Sequence, residues 1–162
     1  MTDRFTIEVD SADADRWFSK LTRKLDDLTP VMRDIGELLI ESTQDRFKKS
    51  EGPDGKPWAP VKRSGRPLVK SGRMRDDIHS RFGRDFAEVR ATARQAAFHQ
   101  FGTQPYVILP RSKKALFWKG GPGPRRKVRH PGLVARPFMG LSTGDIEAID
   151  RLAVAWLADP NP

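Results

Sequence analysis

The chain has 162 residues, 37% of them apolar, with 13 glycines and no cysteine, the size of one domain at the low end of ordinary soluble composition. No apolar run approaches the roughly 18 to 20 residues that cross a bilayer, and Met1-Thr2-Asp3-Arg4 leads into alternating polar residues instead of a signal core, so neither an integral membrane nor a secreted protein is expected. A disulfide framework, a thiol nucleophile and a cysteine metal site are all excluded, and 30 basic against 21 acidic residues leave a net +9 whose meaning depends on where it sits.

Phe5, Ile7 and Val9 alternate with polar residues and predict a short first strand. Ser11 or Asp13 then caps a helix in which Trp17, Leu21, Leu25 and Leu28 recur at helical spacing beside Phe18. Thr29-Pro30 opens a second helix to about Lys49, with Val31, Ile35, Leu38, Leu39 and Phe47 on one stripe. From Ser50 the composition turns to Gly, Pro, Lys and Arg around one large anchor, Trp58, giving a long basic loop over 50–67. One or two helical turns capped by Ser71 are expected before Asp77. Ile78–Phe82 and Ala87–Ala91 then read as a β-hairpin, and 93–101 as a short helix ended by Gly102. Tyr106–Leu109 and Ala115–Trp118 are strand-like. The acid-free 110–132 segment reads as an extended basic arm or long hairpin. Ser142, with Asp145 three residues on, starts a last helix carrying Ile146, Ile149, Leu152, Ala153, Trp156 and Leu157. The fold class is α+β in a single domain, 1–162: two antiparallel helices and a C-terminal helix packed on a small, mainly antiparallel β-sheet.

The charge excess is local. Residues 46–75 hold ten Lys or Arg against Glu51 and Asp54, a net +8. Residues 111–130 hold eight against no acid, another +8, and the rest of the chain nets −7. Lys56, Lys62, Arg63 and Arg66 with Trp58 in the loop, and Arg111, Lys113, Lys114, Lys119, Arg125, Arg126, Lys127 and Arg129 with Trp118 in the arm, are therefore the expected contacts to subunits, partners or DNA. Basic residues interleaved with aromatics suit phosphate tracking and base stacking, although anchoring of the segments to a core is the favoured reading of the same aromatics.

No catalytic constellation is present. His79, His99 and His130 lie 20 and 31 residues apart, outside any metal-ligand spacing. The glycine-rich Gly120-Gly121-Pro122-Gly123 has a proline where a phosphate cradle needs backbone N–H groups. The acid pairs Asp26/Asp27 and Asp76/Asp77 are adjacent and do not face one another on a helix. No catalytic residue, metal ligand or cofactor is expected.

Four stretches occur in order: Asp54-Gly55-Lys56-Pro57-Trp58-Ala59-Pro60 after Arg46-Phe47; Leu68 leading to Ser71-Gly72-Arg73-Met74; His99-Gln100-Phe101-Gly102; and Ala135-Arg136-Pro137-Phe138-Met139-Gly140-Leu141-Ser142. Together they resemble the phage virion morphogenesis family, the Mu G-like tail completion proteins of tailed bacteriophages, over residues 30 to 158. This chain departs from the family's frequent Thr-Gly-Leu at Ser71-Gly72-Arg73. The motif residues have physical roles: Gly55 and Gly72 permit tight turns, Trp58 anchors the loop, Pro137 directs Phe138 into the core and Gly140 ends that segment.

The resemblance implies a non-enzymatic subunit, made in the bacterial host cytoplasm and resident in the neck or tail of the virion. It completes the tail as a homo-oligomeric ring, taken as a hexamer, at the head-proximal end. Its implied partners are further copies, tail tube and head–tail connector proteins, with non-specific contact to double-stranded DNA in the bore and none with membrane. The alternatives are a stopper- or adaptor-like connector of the same neck and a sequence-independent DNA-binding protein. A charge estimate bears on the bore: six arms lining it would present about 48 positive charges, whereas a ~30 Å channel of duplex holds only about 18 phosphates. At most one basic segment is expected to face the lumen, with the other on an acidic neighbour. Truncating Trp58 is expected to weaken assembly more than monomer stability.

Overall fold

A computed structural model describes residues 11–61 and 64–159. The strand expected at Phe5–Val9 and the basic residues Lys62 and Arg63 lie outside the described residues. The class is α+β, with five helices and four strands among the described residues. Instead of one sheet there are two separate two-stranded sheets.

Helix α1 covers Ala12–Asp26. Ser11 stands at its N-cap, but its hydroxyl donates to the Asp15 carboxylate at 3.0 Å and does not bond a backbone N–H. Helix α2, Thr29–Lys49, starts under Asp27, whose carboxylate accepts the Thr29 N–H at 2.9 Å. Hydrogen bonds from the Thr29 side chain and backbone hold the Asp27 carboxyl below its usual 3.8. α2 ends where Ser50 turns to a positive φ of 61° and the Glu51 N–H reaches back to the Arg46 carbonyl at 3.2 Å, which satisfies one of the helix's last free acceptors.

Helix α3, Arg73–Asp76, is capped by Gly72 and not by Ser71, because the cap backbone sits at φ 78°, where glycine is free and serine is strained. Strands β1 (Ile78–Phe82) and β2 (Ala87–Ala91) pair across a turn closed by the Gly83 N–H on the Phe86 carbonyl, 2.9 Å. Helix α4, Ala96–Phe101, ends at Gly102 as the sequence indicates. β3 (Tyr106–Ile108) pairs antiparallel with β4 (Val128–His130) in the register Tyr106↔His130, Val107↔Arg129 and Ile108↔Val128. Ala115–Trp118 does not form a strand: it makes one bridge, Leu116↔Arg125, because the chain opposite runs through Pro122 and Pro124, which have no N–H to offer a ladder. Helix α5 covers Thr143–Ala158, with Asp145 buried in its first turn. No helix among the described residues is long and apolar enough to cross a membrane.

The chain divides into two compact units. The first takes the chain as far as Leu39, Ser80–Val89 and the chain from Thr143. In it Gly36 packs on Ser80, where an added Cβ would lie 3.0 Å from the serine Cβ. Lys24 is buried, and its ammonium donates to the Trp156 and Asp159 carbonyls at 2.7 and 2.6 Å while lying 5.1 Å from the Trp156 ring centre. A lysine side chain thus satisfies the acceptors that α5 leaves open at its C-terminal end. The apolar stripe of α1, Trp17, Phe18 and Leu25, stays exposed.

The second unit takes Ile40–His79 and Arg90–Ser142. Phe47, Trp58 and Phe138 form its centre, with Phe47 and Phe138 the two fully buried large side chains among the described residues.

Candidate assembly interface

The motif residues of the second unit build a base from which a charged hairpin projects. Phe47 meets Trp58 edge-on at 5.4 Å between ring centres and Phe138 at 5.3 Å. The returning loop places Trp58: its N–H bonds the Ser50 carbonyl at 2.8 Å, and Glu51 bridges Pro57. Its indole N–H donates to the Pro137 carbonyl at 2.7 Å, so the ring is fixed at both edge and face. On sequence grounds Trp58 was expected both to anchor the loop and to be among the contact residues; its burial fits the anchor and leaves little of the ring to a partner.

Two buried arginines and one glutamine tie the 134–140 segment in place. Arg46 Nη1 donates to the carbonyls of Phe138 (3.0 Å) and Gly140 (2.7 Å), and Nη2 to the Ser42 hydroxyl at 3.2 Å. Arg136 Nε and Nη2 donate to the Ala59 and Pro60 carbonyls at 2.8 and 3.0 Å, Nη1 donates to Val134 O at 3.3 Å, and its backbone N–H bonds His99 O at 2.7 Å. Gln100 Oε1 accepts the N–H groups of Phe138 and Met139 at 3.0 Å each, and its amide donates to Met139 O at 2.9 Å. The two guanidinium groups thus donate chiefly to backbone carbonyls, a use that suits five donors in one plane.

His99 lies half-buried beside Arg136, and its Nδ1 is enclosed without a hydrogen-bond partner among the described residues. Burial first, and then the Arg136 charge, push its imidazole below the ordinary 6.5. Gly102 closes the base, since a Cβ there would lie 2.7 Å from the Leu133 carbonyl. Pro137, His99, Gln100, Gly102, Arg136, Phe138 and Gly140 thus belong to this one knot with Trp58. Phe101 does not; it is exposed. Gly55 shapes the loop turn, and Gly72 serves α3.

The hairpin starts from this base through Thr103↔Leu133, runs through β3 and β4, and continues to Leu116↔Arg125. Arg111, Lys113, Lys114, Lys119, Arg125, Arg126, Lys127 and Arg129 are all exposed. None of their side chains has a hydrogen-bond or ion-pair partner among the described residues. Between them Val107, Leu109 and Trp118 are also exposed, and Phe117 is 76% accessible. Tyr106 stacks on His130 at 4.8 Å.

The other basic segment is spent differently. Arg46 is buried on carbonyls, Lys48 pairs with Asp45 at 2.7 Å, Lys56 pairs with Asp54 at 3.3 Å and Arg66 donates to the Lys48 carbonyl at 3.2 Å. Among the described residues the two stretches are therefore unequal: several of the loop's cations have partners within the chain, some of them in exposed pairs, and the hairpin's have none. By unit, the described residues of the second hold 19 basic and 6 acidic residues, a net +13, and those of the first hold 8 and 12, a net −4.

No group of three or more His, Asp or Glu among the described residues is placed to hold a metal ion. A base tied together by hydrogen bonds to its backbone thus presents an exposed basic and apolar hairpin. The chain belongs to the phage virion morphogenesis family, whose model matches residues 9–158. It is 25% identical over 148 residues to tail completion protein S of Escherichia phage P2, covering 88% of this chain and 95% of that protein. It is 28% identical over 148 residues to putative capsid assembly protein G of Escherichia phage Mu, covering 79% and 83%. No solved structure matches.

Proposed function

We propose that this chain is a tail-completion subunit that closes the head-proximal end of a phage tail as a homo-oligomeric ring, preparing it for head joining. The carrying observation is the similarity to a tail completion protein across 88% of the chain. The open hairpin supports the reading: eight cations without a partner among the described residues, beside a 76% accessible Phe117, suit a surface that a partner covers. In this reading the subunit resides in the virion, is assembled in the host cytoplasm, and meets tail tube and head–tail connector proteins. The engaged charges of the 46–75 loop fit a weak, sliding contact with duplex better than a tight one.

The test is deletion of the gene in the producing phage. Normal heads and normal tails that fail to join support the reading. Infectious particles in normal yield refute it. Tails of uncontrolled length with joined heads would shift the role to length control, and headless tails with leaking, unstoppered heads would shift it to the connector.

A further inference from the structure

We propose that the 111–130 hairpin of one copy docks on the exposed face of α5 of a second copy, so that copies join head to tail. The proposal rests on the ring reading above and names the contact that would build the ring.

The hairpin carries two kinds of unfilled surface. Its cations have no partner among the described residues, and Leu109, Phe117 and Trp118 stand in water beside them. Duplex DNA would neutralise the charges but leave the aromatics exposed, because its bases are stacked inside. A protein surface fills both needs, and protein interfaces are built around buried aromatics with arginine nearby.

α5 supplies the complement. Ile146, Glu147, Asp150, Val154 and Leu157 are all exposed, and their spacing puts them on one stripe of the helix. Three apolar side chains and two carboxylates thus share a face. Arg151 reaches Glu147 only at 3.9 Å with both side chains well exposed, a pair worth little to either. Asp150 has no partner among the described residues. The stripe is about 17 Å long at 1.5 Å per residue, which five or six extended residues of a hairpin strand cover.

Charge disfavours like on like: hairpin on hairpin sets +8 against +8. Hairpin on α5 joins the unit of net +13 to the unit of net −4, and passed in one direction from copy to copy it is a heterologous contact, the kind that closes into a ring when the rotation permits.

The experiment uses the purified full chain and reads self-association by mass photometry and light scattering over a concentration series. Three variants are made: Arg125→Glu/Arg126→Glu/Lys127→Glu in the hairpin, Glu147→Lys/Asp150→Lys in α5, and the five changes together. Each set alone is expected to weaken association about 10- to 100-fold with the far-ultraviolet circular dichroism spectrum unchanged. The combined variant, with signs exchanged on both sides, is expected to return to within about threefold of the original. A combined variant as dissociated as its parents, or an α5 variant that assembles normally, overturns the contact while leaving the ring reading intact. A hairpin variant that keeps its ring and loses affinity for a short duplex assigns the hairpin to DNA instead. A wild-type chain that stays monomeric at every concentration overturns the ring reading itself.

Discussion

Replacing Trp58 tests whether the motif loop is core or contact surface. Trp58→Ala removes a buried indole that packs edge-on against Phe47, and large aromatic truncations of this kind cost about 3 to 5 kcal/mol. It also strips the Pro137 carbonyl of its 2.7 Å donor, a loss of about 1 kcal/mol. Trp58→Phe keeps most of the ring and loses the N–H, so it should cost about 1 to 2 kcal/mol. Against a total of about 5 to 15 kcal/mol, the alanine variant stands near the edge of folding, with a melting temperature lower by roughly 8 to 24 °C. Urea titration followed by far-ultraviolet circular dichroism measures both. The burial of Trp58 thus adds a large loss of monomer stability to the loss of assembly expected from the sequence. An alanine variant within about 1 kcal/mol of the original would refute the core assignment. A phenylalanine variant as damaged as the alanine one would mean that the hydrogen bond, and not the packing, holds the loop.

Lys24→Met keeps the aliphatic stem but leaves the Trp156 and Asp159 carbonyls without their donor, and should destabilise the first unit by about 1 to 3 kcal/mol; faster amide exchange at the end of α5 is the accompanying sign. Gly132→Ala would bring a Cβ to 2.2 Å from the Thr103 carbonyl at φ 86°, whereas Gly120→Ala meets nothing within 4 Å at φ 76°. The second change should cost only the backbone strain of about 1 to 2 kcal/mol and the first clearly more, and the reverse order in urea titration would contradict the hairpin base described here. His99 is held below its ordinary 6.5 in the folded state, so as pH falls below that value the unfolded chain binds the proton first and stability declines. His99→Gln should flatten this decline in unfolding midpoints measured between pH 7 and 5; an unchanged slope would assign it elsewhere. The lowered carboxyls Asp27, Asp45 and Asp54 act only below 3.8 and leave that window clear.

Much of the fold was legible in the sequence where the signal is local. Thr29-Pro30 and the apolar spacing that follows located α2, the Ile146–Leu157 periodicity located α5, and Gly102 marked the end of α4. The failures were those of partners. The Ala115–Trp118 run has strand composition but faces prolines, and Ser71 is a good cap residue in a position whose backbone only glycine takes easily. The roles of Arg46, Gln100 and Arg136 were not readable at all, because the carbonyls they hold lie 92, 39 and 77 residues away in the chain.

The same division applies to the charge. Counting residues was enough to show that +9 is two basic segments on an acidic remainder, and that one of them contains no acid. It could not show that the segments differ, since an arginine on a carbonyl and an arginine in water carry the same formal charge. Tertiary structure decided that: it buried Arg46 and paired Lys48 and Lys56 in one segment, and left all eight cations of the other open beside Phe117. A charge count is a property of composition, but the availability of a charge depends on which dipoles and carboxylates folding brings within about 3 Å of it.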